Sequence, residues 1–262
     1  MKKINLRVIG LLVLAITIMF AGMLLPGIVL YSNSNGITGK VNIVPKDYYA
    51  ASNSAMAKNN SKRMKVSEKI QLITGSWKST IKEANKYETE LKDYEATNLA
   101  LKELSQLYED GLFPSELQSK YGNWYSWTAK GYKAVDSIFN TYSSCYWVIS
   151  FMKYDGTENH EVYMIEDGTI ICCVSHFENS TEMGRIEKAY DVYEQKTEYE
   201  ITDSSDNVNI IELIRYPIDT QLFNSTEWST SCNITKENEN YNIVQAYTKD
   251  SYLYQLTDVK SN

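Results

Sequence analysis

YWVISFMKYDGTENHEVYMIEDGTIICCVS, residues 146–175, is the stretch whose reading decides the fold. Tyr146 to Tyr154 is dense in aromatic and β-branched residues, which suit a pleated, half-buried surface. Asp155-Gly156-Thr157 supplies a turn, Glu161 to Glu166 alternates, Asp167-Gly168 is a hairpin signal, and Thr169 to Ser175 returns. The pattern predicts a three-strand antiparallel meander. Outer strands of such a meander lie about 9.5 Å apart, whereas bridged Cα atoms come within about 7 Å. Cys145 is therefore not expected to bridge to Cys172 or Cys173. The latter two alternate across the strand, so at most one could meet Cys232. Buried thiols acting as small hydrophobes are the simplest expectation.

Upstream, the periodicity turns helical. Leu101, Leu104, Leu107 and Tyr108 recur at spacings of three and four, predicting a helix over residues 94–110. Gly111, Leu112 and Pro114 form a sharp stop: a left-handed residue, an apolar contact, then a block to continuation. Ser115 with Gln118 is placed to cap one further turn. Val66, Ile70, Ile73 and Trp77 predict an earlier helix over residues 65–84, weakened at Gly75. Downstream, Met183, Ile186, Tyr190 and Tyr193 suggest a third helix. Strands are expected near Tyr199, over 241–248 and over 252–257, while 208–214 is open between helix and strand.

Val8 to Tyr31 carries no charge. As a helix it would measure roughly 36 Å, enough to cross a ~30 Å hydrocarbon core. Lys2, Lys3 and Arg7 precede it and the next charge is Lys40, which places the N-terminus in the cytoplasm and the remainder outside. A cleaved signal peptide has a shorter apolar run and an A-x-A-like site; here only Ser32-Asn33-Ser34 offers small residues at that spacing. Residues 32–63, rich in Ser, Asn, Ala and Lys, suit a spacer, with a short strand from Gly39 to Val44. Residues 64–262 form the exported domain, divisible into two subdomains near 176–200. The expected fold is thus α+β: one N-terminal transmembrane helix, then helices packed on an antiparallel meander sheet.

The formal charge is −7, and Lys2, Lys3 and Arg7 lie within the first 31 residues, leaving −10 for the rest. So acidic a domain is repelled by phosphate polymers, so nucleic acid is excluded as a partner. Of 26 basic residues only Arg7, Arg63, Arg185 and Arg215 are arginine, a bias of AT-rich bacterial coding.

Taken together, Ala96 to Leu107, then Trp147-Val148-Ile149, then Val162 to Ile170 with its Asp-Gly turn resemble the PepSY-like modules of membrane-anchored bacterial envelope proteins. The resemblance covers under half of the exported part, shows no second copy and leaves the chain after Ser175 unexplained. It implies a binding or regulatory module rather than an enzyme.

Residues with chemistry are few. His160 and His176 are the two histidines, and no Cys or His pair has metal-ligand spacing, so no metal or cofactor is expected. His160, in Glu-Asn-His-Glu, reads as a solvated turn residue. His176 ends a strand, and neighbouring Ser175 and Ser180 lack nucleophile-elbow glycines. Carboxylates such as Asp155, Asp167, Glu182 and Glu187 fall in turns or on helix faces. Tyr121, Trp124, Tyr125, Trp127 and Tyr132 crowd one segment, either packing between helix and sheet or forming an exposed platform. The Asn-x-Ser/Thr triplets at Asn59, Asn179, Asn224 and Asn233 are incidental in a bacterial chain.

These features favour a membrane-tethered extracytoplasmic domain that binds or regulates an envelope protein without catalysis. One rival is a cell-wall glycan binder using Trp124, Tyr125 and Trp127, marked by their exposure. Another is a hydrolase assembled from scattered carboxylates, marked by a cleft with two facing carboxylates of raised pKa.

Overall fold

Nine of the strands belong to one antiparallel sheet, and the order in which they pair places everything else. A computed structural model describes residues 63–76, 82–83, 88–119, 122–123, 125–135, 142–215 and 218–258. The elements are α1 (Val66–Ser76), β1 (Lys82–Glu83), α2 (Asp93–Glu109), β2 (Gln118–Ser119), β3 (Gly122–Asn123), β4 (Tyr125–Val135), β5 (Ser143–Lys153), β6 (Glu158–Ile165), β7 (Ile170–Phe177), α3 (Ala189–Glu194), β8 (Glu200–Asp206), α4 (Ile210–Leu213), β9 (Trp228–Lys236), β10 (Glu239–Tyr247) and β11 (Ser251–Asp258). The large sheet runs β1-β4-β5-β6-β7-β11-β10-β9-β8, and β2 pairs with β3 separately.

The expected fold class is corrected by this arrangement. The chain is dominated by an antiparallel sheet of eight full strands plus the two-residue β1, with few helices, rather than by helices layered on a short meander. Two strands account for the difference. β4 runs through the aromatic segment read as packing between helix and sheet or as a platform, and β9 is a polar segment with no clear apolar alternation. β8, by contrast, falls beside the strand expected near Tyr199. The sheet is also continuous through the point of expected division, because β7 pairs with β11 across the intervening residues 178–250, which contain β8 to β10. The helices shrink accordingly. α1 ends at Ser76 and Lys82–Glu83 is strand, so the helix over 65–84 is cut short. The expected third helix becomes one 3₁₀ turn, an extended stretch and the six-residue α3.

That extended stretch has a local cause. The Gly184 N–H donates to the Pro114 carbonyl at 2.9 Å and the Glu187 N–H to the Gly111 carbonyl at 2.8 Å, pairing 184–187 with the turn after α2. A Cβ on Gly184 would sit 2.5 Å from the Pro114 oxygen, so only glycine permits this approach. Tertiary pairing thus overrides a helical pattern.

The end of α2 is a Schellman turn. Gly111 has φ of +75°, its N–H donates to the Tyr108 carbonyl, and the Leu112 N–H reaches the Leu107 carbonyl at 2.7 Å. Ala96, Ala100, Leu101 and Leu104 are buried, Leu107 is half-buried and Tyr108 is exposed. α2 lies near β4 and β5, and α1 contacts β4, β5, β10 and β11.

Two buried glutamines hold the covering segments. Gln245 and Gln255 point to opposite faces, since Gln245 pairs with Tyr254 and Gln255 with Val244. Gln245 accepts from the Ala189 N–H at 2.6 Å and donates to the Glu187 carbonyl and the Tyr252 hydroxyl. Gln255 both accepts from the Arg215 N–H and donates to its carbonyl. Each satisfies a covering strand of backbone that would otherwise be buried without a partner.

The four cysteines are free thiols, with β6 between the strands of Cys145 and Cys172/Cys173. The apolar run 8–31, the spacer, the Gly39–Val44 strand and Trp77 lie outside the described residues. No helix among the described residues is long and apolar enough to cross a membrane.

Candidate functional site

A groove of about 650 Å³ lies on the sheet face shared by Ile234, Tyr241, Ile243, Tyr254 and Leu256. α2 forms one wall with Glu103 and Asp110, the β6–β7 turn adds Asp167 to Thr169, and Tyr193 to Tyr199 closes the other side. Strand pairing sets the floor: residues directly opposite share a face, so β9, β10 and β11 present Ile234, Tyr241 and Tyr254 together.

The side chains of the groove are held in place. Tyr193 and Tyr199 rings meet at 4.4 Å, and the Tyr193 and Tyr254 hydroxyls hydrogen-bond. Lys196 pairs with Asp110 and lies 5.3 Å from the Tyr193 ring centroid. Lys236 lies 5.0 Å over Tyr199. Asp167 accepts from Lys69 at 2.8 Å and from the Thr169 N–H. Burial works to raise its carboxyl, but these two donors hold it below its ordinary range. Glu239 behaves likewise: burial opposes ionisation, while the Tyr241 hydroxyl and Ser67 N–H favour it.

A second, smaller pocket of about 300 Å³ opens beside a buried polar network. Glu158, 5% exposed, accepts from the Ser115 hydroxyl at 2.8 Å, the Tyr125 hydroxyl at 2.7 Å and the Lys153 ammonium at 2.6 Å. Burial alone would raise its carboxyl; the donors outweigh that and hold it well below the usual carboxylate range. Lys153 also reaches Glu182 at 3.4 Å. His160, fully buried, stands among the rings of Phe113, Tyr125 and Phe177. Its Nε2 is 3.4 Å from Glu158 but not aligned for a hydrogen bond, and its Nδ1 is 2.9 Å from the Ser175 hydroxyl. A carboxylate only accepts, which assigns the ring proton to Nε2 and leaves Nδ1 to accept from Ser175.

His160 is therefore not a solvated turn residue, because β6 begins at Glu158 and carries it inward. Glu158, His160 and Val162 share a face at a spacing of two, so running the alternation of Val162 and Met164 backwards by two steps would have found them. The Ser175–His160–Glu158 chain resembles a triad in composition only. Ser175 is fully buried, so no substrate carbonyl can reach its hydroxyl. His176 instead faces Ser251, at 3.3 Å.

The aromatic platform is not assembled among the described residues. Trp124 and Tyr121 lie outside them, Tyr125 is buried with its hydroxyl on Glu158, and Trp127 is 40% exposed. Replacing Trp127 with Ala should cost no more than about 1 kcal/mol, measured by urea unfolding. A loss as large as that of a core aromatic would show that it is packed. Neither pocket shows two facing carboxylates of raised pKa: Glu158, Asp167 and Glu239 are all lowered. No group of three His, Cys, Asp or Glu among the described residues is placed to hold a metal.

The buried histidine sets a pH dependence. Burial depresses His160, and the facing Glu158 only partly offsets it. Below about pH 6.5 the unfolded chain takes up a proton that the folded chain refuses, so stability falls on acidification by up to about 1.4 kcal/mol per pH unit. Glu158 acts in the same direction at lower pH, since its folded carboxyl is also depressed. Thermal unfolding between pH 7.5 and 5.5 should show this slope in the parent and a flattened one in His160→Gln. An equal slope in both would remove His160 from the account.

Searched against known proteins, the chain matches no family, no curated protein and no solved structure.

Proposed function

We propose that the chain is a membrane-tethered extracytoplasmic domain that binds a protein partner of the cell envelope and performs no catalysis. The observation that carries this reading is the groove. It is open and preorganised, its tyrosines and lysines are fixed by ring and ion-pair contacts, and its perturbed carboxylates are stabilised as anions. An acid catalyst needs the opposite, a carboxyl held neutral near the working pH. Tethering rests on the uncharged run from Val8 to Tyr31 and the basic residues before it.

A photocrosslinking residue at Glu198, on the groove, should capture a discrete protein in native membranes, whereas the same residue at exposed Tyr154 should not. Identical adducts from both positions, or none from Glu198, would overturn the reading. So would substrate turnover by the purified chain that a single carboxylate substitution abolishes. Alkaline carbonate washing should leave the full-length chain in the membrane; release of a form beginning near Ser34 would defeat the tether.

A further inference from the structure

We propose that the groove takes an extended lysine- or arginine-bearing segment of the partner. This rests on the protein-binding reading above and names the chemistry of what is bound. Six carboxylates line the groove (Glu103, Asp110, Asp167, Glu198, Glu237 and Glu239) against the ammonium groups of Lys196 and Lys236. Lys196 is matched by Asp110, and Asp167 by Lys69 from α1. The groove keeps an excess of negative charge after these pairings.

The excess is distributed in a way that suits a chain. Glu103 stands on α2, Glu198 precedes β8, and Glu237 occupies the β9–β10 turn, so the carboxylates come from three separate elements around one opening. Glu198 and Glu237 are exposed and share the field of a single cation, Lys236, without closing on it as an ion pair. A single amine meets one such carboxylate, whereas a peptide with cations along its length meets several at once. The floor adds ring faces, and Lys196 and Lys236 already lie against Tyr193 and Tyr199 at cation–π distance. Those rings therefore accept ammonium groups in the geometry the groove imposes. An anionic polymer would meet repulsion instead, and a neutral glycan would leave the carboxylates unpaired.

The test uses the full-length chain in micelles of a nonionic detergent, with fluorescent oligolysine of about nine residues, roughly 30 Å when extended, as the probe. Oligoglutamate of the same length and a chitin hexasaccharide serve as comparisons. Oligolysine should bind, with affinity that falls as salt rises. Glu198→Gln with Glu237→Gln should weaken binding by about tenfold, while Glu178→Gln with Glu227→Gln, which removes the same charge elsewhere on the surface, should change it less than about twofold. Equal losses in the two variants would reduce the effect to net charge and overturn the inference, as would saccharide or oligoglutamate binding that the groove variant alone abolishes. The two readings fail separately. A protein captured from Glu198 through a segment without Lys or Arg leaves partner binding standing and sinks the basic segment. An absence of any capture sinks partner binding, whatever the peptide does.

Discussion

Glu158→Leu is expected to cost about 3–5 kcal/mol and to lower Tm by roughly 10 °C or more. The carboxylate is where three parts of the chain meet. Ser115 comes from the turn after α2, Tyr125 from the start of β4, and Lys153 from the end of β5. An apolar residue leaves two buried hydroxyls without an acceptor, each of which then carries its desolvation cost, and removes the negative charge that faces His160 Nε2. Lys153 is less affected, being partly exposed and within reach of Glu182 and Asp155. Glu158→Gln should fall between, because an amide oxygen still accepts but its NH₂ faces the same donors. Tyr125→Phe and Ser115→Ala each remove one donor and should cost about 1 kcal/mol, so the network stays measurable even where Glu158→Leu fails to fold. Urea unfolding decides it: a loss under about 1 kcal/mol for Glu158→Leu would mean that the carboxylate is not holding these segments.

How far this was legible follows from what each residue's pattern depends on. The Gly111–Pro114 stop is local chemistry and can be read directly, because a left-handed residue and a following proline constrain the backbone whatever surrounds them. The strands of 146–175 are legible for a similar reason, since tight turns at Asp155-Gly156 and Asp167-Gly168 bring adjacent segments together. β9 is not. Ser229, Thr230 and Cys232 are buried together because both faces of the sheet are covered near them, and such a strand loses its alternation. β8 is nearly all exposed, so its one readable mark is the aromatic Tyr199 just before it. The groove is harder still. Tyr193, Tyr241 and Tyr254 converge through the pairing of β10 with β11 and the packing of α3, and no sequence period connects residues at those separations. Gln245 and Gln255 read as ordinary polar positions in strands until the segments they bind are in place.

Phe113→Ala tests whether the stop after α2 does more than end a helix. Phe113 is fully buried, its N–H closes on the Leu107 carbonyl at 3.1 Å, and its ring centroid lies 5.2 Å from that of His160. Truncation should cost about 3–5 kcal/mol from lost burial and the cavity left behind, whereas Phe113→Leu, which keeps most of the volume, should cost under about 1.5 kcal/mol. A second readout separates packing from a general loss of stability. The ring shields His160 from water, and that shielding is the first cause of the depressed imidazole. With water admitted, the folded-state pKa of His160 should rise towards its ordinary value of about 6.5. The gap between folded and unfolded values then narrows, so the loss of stability on acidification should shrink even as total stability drops. NMR titration of the His160 ring proton in Phe113→Ala, against the parent, measures this directly. An unchanged titration beside a large destabilisation would place Phe113 in the core but deny it any part in holding the histidine neutral.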